Sequence, residues 1–108
     1  MNDVRQLYED RDRYQILDVR EPFEWDAGHI ENAIHVPLAD VMQGSGADRL
    51  DPERPIVVVC KVGSRSELAS LMLQARGFDA QNLEGGTEAW VAAGLPIVDS
   101  AGAPGKVA

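Results

Sequence analysis

Cysteine is nearly missing from this chain: Cys60 is the only one among 108 residues. One thiol cannot form an internal disulfide or a four-cysteine zinc site. Histidine is scarce as well, with only His29 and His35, too few ligands for a thiolate–imidazole metal cluster. No metal and no cofactor is expected. Basic runs are also missing, and the formal charge is -8, which argues against a nucleic-acid surface and against an anionic membrane. The opening Met1-Asn2-Asp3-Val4-Arg5 lacks the basic-then-apolar layout of a secretory signal, and the longest apolar runs fall far short of a bilayer span. A cytoplasmic location is therefore expected. There is no internal repeat. What is present, 44% apolar and 26% charged residues, suits one soluble globular core, and the length does not suffice for two.

Hydrophobic patterning alternates strands with helices. Asp3 and Gln6 resemble a capping box ahead of a helix over residues 3–12. Tyr14 to Val19 reads as a strand. Glu21-Pro22 opens a short helix that ends before Gly28. Ala33 to Leu38 reads as a second strand, closed by Pro37. Residues 43–55 are rich in breakers and predict a mobile surface connection. Ile56-Val57-Val58-Val59 is β-branched without polar alternation, the mark of a strand covered on both faces. Ser66 to Arg76 reads as a helix whose apolar side is Leu68, Ala69, Leu71, Met72, Leu73 and Ala75, with Gly77 as its C-terminal cap. A short strand follows over 79–83, then a helix over 87–93 stopped by Gly94 and Pro96. The expectation is an α/β domain over residues 1–98, with a central, mainly parallel sheet of about four to five strands flanked by helices on both faces, and a flexible tail over 99–108. In such sheets ligands sit beyond the carboxyl ends of the strands. That places attention on the end of Val57-Val58-Val59, where Cys60 stands.

The segment Cys60-Lys61-Val62-Gly63-Ser64-Arg65-Ser66 lies between a buried strand and a helix. Main-chain N–H groups of such a turn, and the positive end of the helix dipole, both favour an anion. Lys61 and Arg65 add two positive charges, Gly63 suits a turn needing positive φ, and Ser66 can cap the helix. Thiols in comparable surroundings have pKa values lowered to roughly 3.5–7.5 from about 8.5. The alternative, a cysteine that merely ends a core strand, leaves the glycine, the two bases and the following helix without a purpose.

This loop resembles the active-site loop of single-domain rhodaneses, commonly Cys-Arg-x-Gly-x-Arg-Ser. Leu17-Asp18-Val19-Arg20-Glu21-Pro22-Phe23-Glu24-Trp25 and Gly28-His29-Ile30-Glu31-Asn32-Ala33-Ile34-His35-Val36-Pro37 are similar to the family's N-terminal signature. Gly77-Phe78 and Leu83-Glu84-Gly85-Gly86-Thr87-Glu88-Ala89-Trp90, ending at Gly94-Leu95-Pro96, are similar to its C-terminal one. Two departures stand out: Lys61 replaces a frequent arginine and lacks its planar fork, and the chain opens on its first helix without the short strand many members place before it. The resemblance implies a sulfurtransferase. Cys60 would be the nucleophile and residues Lys61, Val62, Gly63, Ser64, Arg65 and Ser66 the substrate cradle, taking sulfur from a small anionic donor such as thiosulfate and passing it as a persulfide to an external thiol or to cyanide. A protein sulfur donor or acceptor is a further partner it allows.

Other residues attract notice. His29 and His35 suit structural hydrogen bonds better than acid–base roles. Asp18 and Arg20 suit an ion pair that fixes their loop. Glu84-Gly85-Gly86-Thr87 suits a tight turn better than a phosphate cradle, and Trp25 and Trp90 suit core anchors. Two rival functions remain in view. One is a phosphatase or arsenate reductase, which also uses a cysteine and an arginine in such a loop but typically spaces them by five residues. Here four intervene, Lys61 to Ser64. The other is a carrier or regulatory module acting on a protein partner.

Overall fold

A computed structural model describes residues 1–108. The elements run α1 (Val4–Glu9), β1 (Gln15–Asp18), α2 (Pro22–Ala27), β2 (Ile34–His35), α3 (Leu38–Gln43), β3 (Ile56–Val59), α4 (Ser64–Ala75), β4 (Ala80–Asn82) and α5 (Gly86–Ala92). The four strands form one parallel sheet in the order β2-β1-β3-β4. No helix is long and apolar enough to cross a membrane.

β3 is the centre of the molecule, and its side chains explain why. Successive residues of a strand point to opposite faces, and here both faces are covered. Ile56, Val58 and Cys60 join Val41, Ala69 and Leu73 on the side of α3 and α4. Val57 and Val59 join Leu7, Leu83 and Trp90 on the side of α1 and α5. All four residues of β3 have no exposed surface, and burying such side chains is worth about 1.5–3 kcal/mol each. β1 pairs with it from Gln15 opposite Ile56 to Asp18 opposite Val59. The chain leaves β1 toward β2 and leaves β3 toward β4, in opposite directions across the sheet. The crevice between the carboxyl ends of β1 and β3 is therefore the switch point where such folds hold ligands. Cys60 is the first residue past β3.

The structure differs from the sequence-based expectations in several places. Residues 43–55 are less irregular than expected: α3 ends at Gln43, a 3-10 turn spans Ala47–Arg49, and Arg76 binds the carbonyls of Val41 and Met42 at the end of α3. The second strand contracts to Ile34–His35 because Pro37 closes it and starts α3. On α4, Leu68 and Leu71 point outward, 48% and 58% exposed. The buried stripe is Ser66, Ala69, Ser70 and Leu73, the helical spacing that faces the sheet. Its end is as expected: Gly77 has φ 93, its N–H binds Gln74, and the N–H of Phe78 binds Leu73, a Schellman motif.

The segment 99–108, expected to fray, turns back on the domain. Gly105 N–H binds Ile97 O at 3.0 Å, Lys106 N–H binds Ala27 O at 2.9 Å, and Val107 packs against the second core cluster. Small residues make this approach possible: a Cβ on Gly28 would lie 2.6 Å from the carbonyl oxygen of Lys106.

Candidate active site

The loop after β3 curls over its own sulfur. Gly63, at φ 109, is the N-cap of α4, a conformation that strains any residue with a side chain. That turn aims the Gly63 N–H at Cys60 Sγ, 3.1 Å away. Ser66 does not cap the helix as expected. It lies inside α4, buried, with Oγ 3.2 Å from the sulfur. The thiol has no exposed surface. Burial pushes its pKa up, but the Ser66 hydroxyl and the N–H groups of Ser66, Gly63 and Val62 pull it further down, leaving it below the ordinary thiol value. The ring that stabilises the thiolate is thus made of hydrogen-bond donors at the start of a helix.

The two cations are placed differently from the sequence-based expectation. Arg65 grips Glu24 with both ends of its fork, at 2.7 and 3.0 Å. That bond holds the Glu24 carboxyl below the usual carboxylate range and raises the Arg65 guanidinium. Lys61 lies 4.0 Å from Glu88. Neither cation makes a hydrogen bond to the sulfur. Val62 is 51% exposed at the crest of the loop, and Ser64 is exposed on the first turn of α4.

Residues distant in the sequence hold the loop, and sequence reasoning gave none of them that role. Asn82, at the end of β4, donates from Nδ2 to Gly63 O at 3.0 Å and turns Oδ1 to the Ser66 hydroxyl. Ser66 has a single proton and two acceptors within reach, the sulfur and Asn82 Oδ1. Glu24 binds Arg65 and also accepts from the Glu21 N–H at 3.0 Å, which ties the start of α2 to the loop. The first turn of α5 lies flat on the loop: Thr87 N–H binds Cys60 O at 2.9 Å and Glu88 N–H binds Lys61 O at 3.0 Å. Gly86 permits that contact, because a Cβ there would meet Cys60 O at 2.3 Å. Its glycine pair was visible in the sequence as a tight turn, and the helix end it opens is already engaged by the loop's own carbonyls.

The remaining residues singled out are structural. Asp18 and Arg20 form a fully buried pair at 2.7 Å, and Arg20 also donates to Gly28 O. Trp90 is a buried anchor whose Nε1 donates to Pro96 O at 2.9 Å. Trp25 is only half-buried, unlike the expected core anchor. Its ring stacks on His29 at 3.6 Å and on His35 at 4.7 Å, both nearly parallel to it. His29 Nδ1 bonds Trp25 O, and His35 Nε2 bonds Arg20 O.

Comparison with known proteins agrees with this architecture. The rhodanese-like domain matches residues 1–93. A probable adenylyltransferase/sulfurtransferase MoeZ from Mycobacterium tuberculosis is 41% identical over 69% of this chain, which spans only 19% of that protein. The thiosulfate sulfurtransferase GlpE from Pseudomonas aeruginosa is 38% identical over 81% of this chain and 76% of its own. Among solved structures, a rhodanese-related protein from Thermoplasma volcanium superposes with a TM-score of 0.83 at 35% identity, over 91% of this chain and 95% of that one.

Proposed function

This chain belongs to the rhodanese-like domain family, and from that premise we propose that it moves sulfane sulfur from a donor such as thiosulfate to a thiol or to cyanide through a persulfide on Cys60. Sulfur transfer is what the names of its relatives share. The observation that carries the reading is the thiol at the carboxyl end of β3, ringed by the Gly63 N–H and the Ser66 hydroxyl and shifted toward its ionised form.

The steps balance without a redox cofactor. The Cys60 thiolate attacks the outer sulfur of thiosulfate, the S–S bond breaks, and sulfite leaves with the bonding pair. The charge then rests on the outer sulfur of the persulfide, and the N–H groups of the loop stabilise it as oxyanion donors would. Cyanide or a thiolate next attacks that outer sulfur and regenerates the Cys60 thiolate. No general base is required when the thiol is already ionised. With one cysteine in the chain, the acceptor comes from another molecule.

A carrier serving a protein partner is the second reading, supported by the 34% identity, over 68% of this chain and 39% of its own, to the putative sulfur carrier protein YrkF of Bacillus subtilis. The phosphatase reading loses its anion-binding arginine, because Arg65 is held by Glu24. Cyanide-dependent thiocyanate formation, compared between wild type and Cys60→Ser, tests the proposal. Thiosulfate should add one sulfur to wild type by mass spectrometry, and Cys60→Ser should fall to the background rate. Full activity in Cys60→Ser would end it. Slow thiosulfate turnover beside rapid exchange with a protein persulfide would shift the assignment to the carrier.

A further inference from the structure

Both cations beside Cys60 have a carboxylate set against them. Folding brings Glu24 onto Arg65 from 41 positions earlier in the chain. It brings Glu88 onto Lys61 from the first turn of α5. The Arg65 pair is bidentate, and the guanidinium itself holds the Glu24 carboxyl low, so at neutral pH the pair contributes no net charge. The Lys61 pair is looser, at 4.0 Å with both partners over a third exposed, so the compensation there is partial. Val62, at the crest between them, is exposed and uncharged. An entering donor therefore meets main-chain N–H groups, a neutralised Arg65 and a partly neutralised Lys61, inside a protein of net charge -8.

We infer that Glu24 and Glu88 select against small dianions, so that the donor this site handles best presents its sulfane sulfur with no more than one negative charge. The inference rests on the persulfide reading of Cys60. Glu88 is the adjustable half, since Glu24 also ties down the start of α2. A monoanionic thiosulfonate shows the step: Cys60 thiolate attacks its terminal sulfur, the S–S bond breaks, the sulfinate leaves with the bonding pair, and the sulfur stays as the persulfide. Thiosulfate undergoes the same displacement with one more negative charge.

The comparison is kcat/KM for thiosulfate over kcat/KM for methanethiosulfonate, with the thiol acceptor held constant. At low ionic strength Glu88→Gln should raise that ratio about threefold, through the KM for thiosulfate, because it removes the negative charge set against Lys61. Lys61→Gln should lower it. About 0.5 M salt should erase both changes by screening. A ratio unmoved by Glu88→Gln, or a change that survives high salt, would overturn the inference while leaving sulfur transfer intact. If neither donor adds sulfur to Cys60 in wild type, mass spectrometry shows it first, and the transfer reading falls together with the selectivity built on it.

Discussion

At Ser66 one hydroxyl proton faces two acceptors, the Cys60 sulfur and Asn82 Oδ1. A thiolate attracts that proton more strongly than a thiol does, so ionisation of Cys60 strengthens its bond to Ser66. Ser66→Ala removes the larger of the stabilising contacts on Cys60. A lost hydrogen bond to a charged group costs about 1.5 kcal/mol. The pH profile of alkylation should move upward in the variant, and an unchanged profile would assign the shift to the backbone alone. The linkage has a definite sign: the folded-state thiol pKa lies below its unfolded value, so the stabilisation is complete above the unfolded value and is lost as pH falls through the folded one. Glu24 behaves likewise in the acid range. Its folded pKa is lowered, chiefly by Arg65, so its contribution vanishes as pH drops through that lowered value. Glu24→Gln, which keeps the shape and removes the charge, should cost about 2 kcal/mol in urea denaturation at neutral pH, and the difference from wild type should shrink in acid. Legibility at this scale follows chain separation. Cys60, Gly63 and Ser66 lie within one turn and announce themselves, whereas Glu24 and Asn82 reach the loop only through the fold.

Two glycines in left-handed conformations show what helices contribute here. Gly77 ends α4 with nothing near its missing Cβ, while Gly86 opens α5 with Cys60 O at 2.3 Å and the carbonyl carbon of Lys61 at 2.6 Å. Gly77→Ala should therefore cost about 1 kcal/mol of stability and leave thiocyanate formation per folded molecule unchanged. Gly86→Ala adds a steric clash to the backbone strain, about 2–4 kcal/mol together, and it should also displace the loop and slow turnover in the fraction that folds. Equal stability losses in the two variants would contradict the close packing of α5 on the loop. Strong elements were legible in sequence: the β-branched run of β3, and α4 with its glycine stop. α3 was not, because six residues after Pro37, with no side-chain cap, carry too little periodicity to separate them from the strand before and the breakers after. The outward Leu68 and Leu71 misled for a related reason. Composition marks a helix as apolar, but only the sheet beneath it decides which stripe is inside.

For the molecule as a whole, the terminal segment is the informative test. Residues 99–108 return over α2 with bonds from Gly105 and Lys106, and Ser100 reaches Asp26 at 2.8 Å. Small polar residues read as fraying in sequence because their partners, Ala27 and Gly28, lie more than seventy positions away. We propose that the segment belongs to the folded unit. Truncation after Val98 should cost about 2 kcal/mol, the loss of two or three net hydrogen bonds and some apolar contact, and the amides of Gly105 and Lys106 should exchange slowly in the full chain. Rapid exchange at both would restore the picture of a loose end. The enclosed position of Cys60 has one more consequence, for the order of events in a catalytic cycle. On the persulfide reading proposed above, a sulfur with no exposed surface must wait for the loop around it to part before it is loaded, while the added atom, held by the same N–H groups, lies about 2 Å closer to the next reactant.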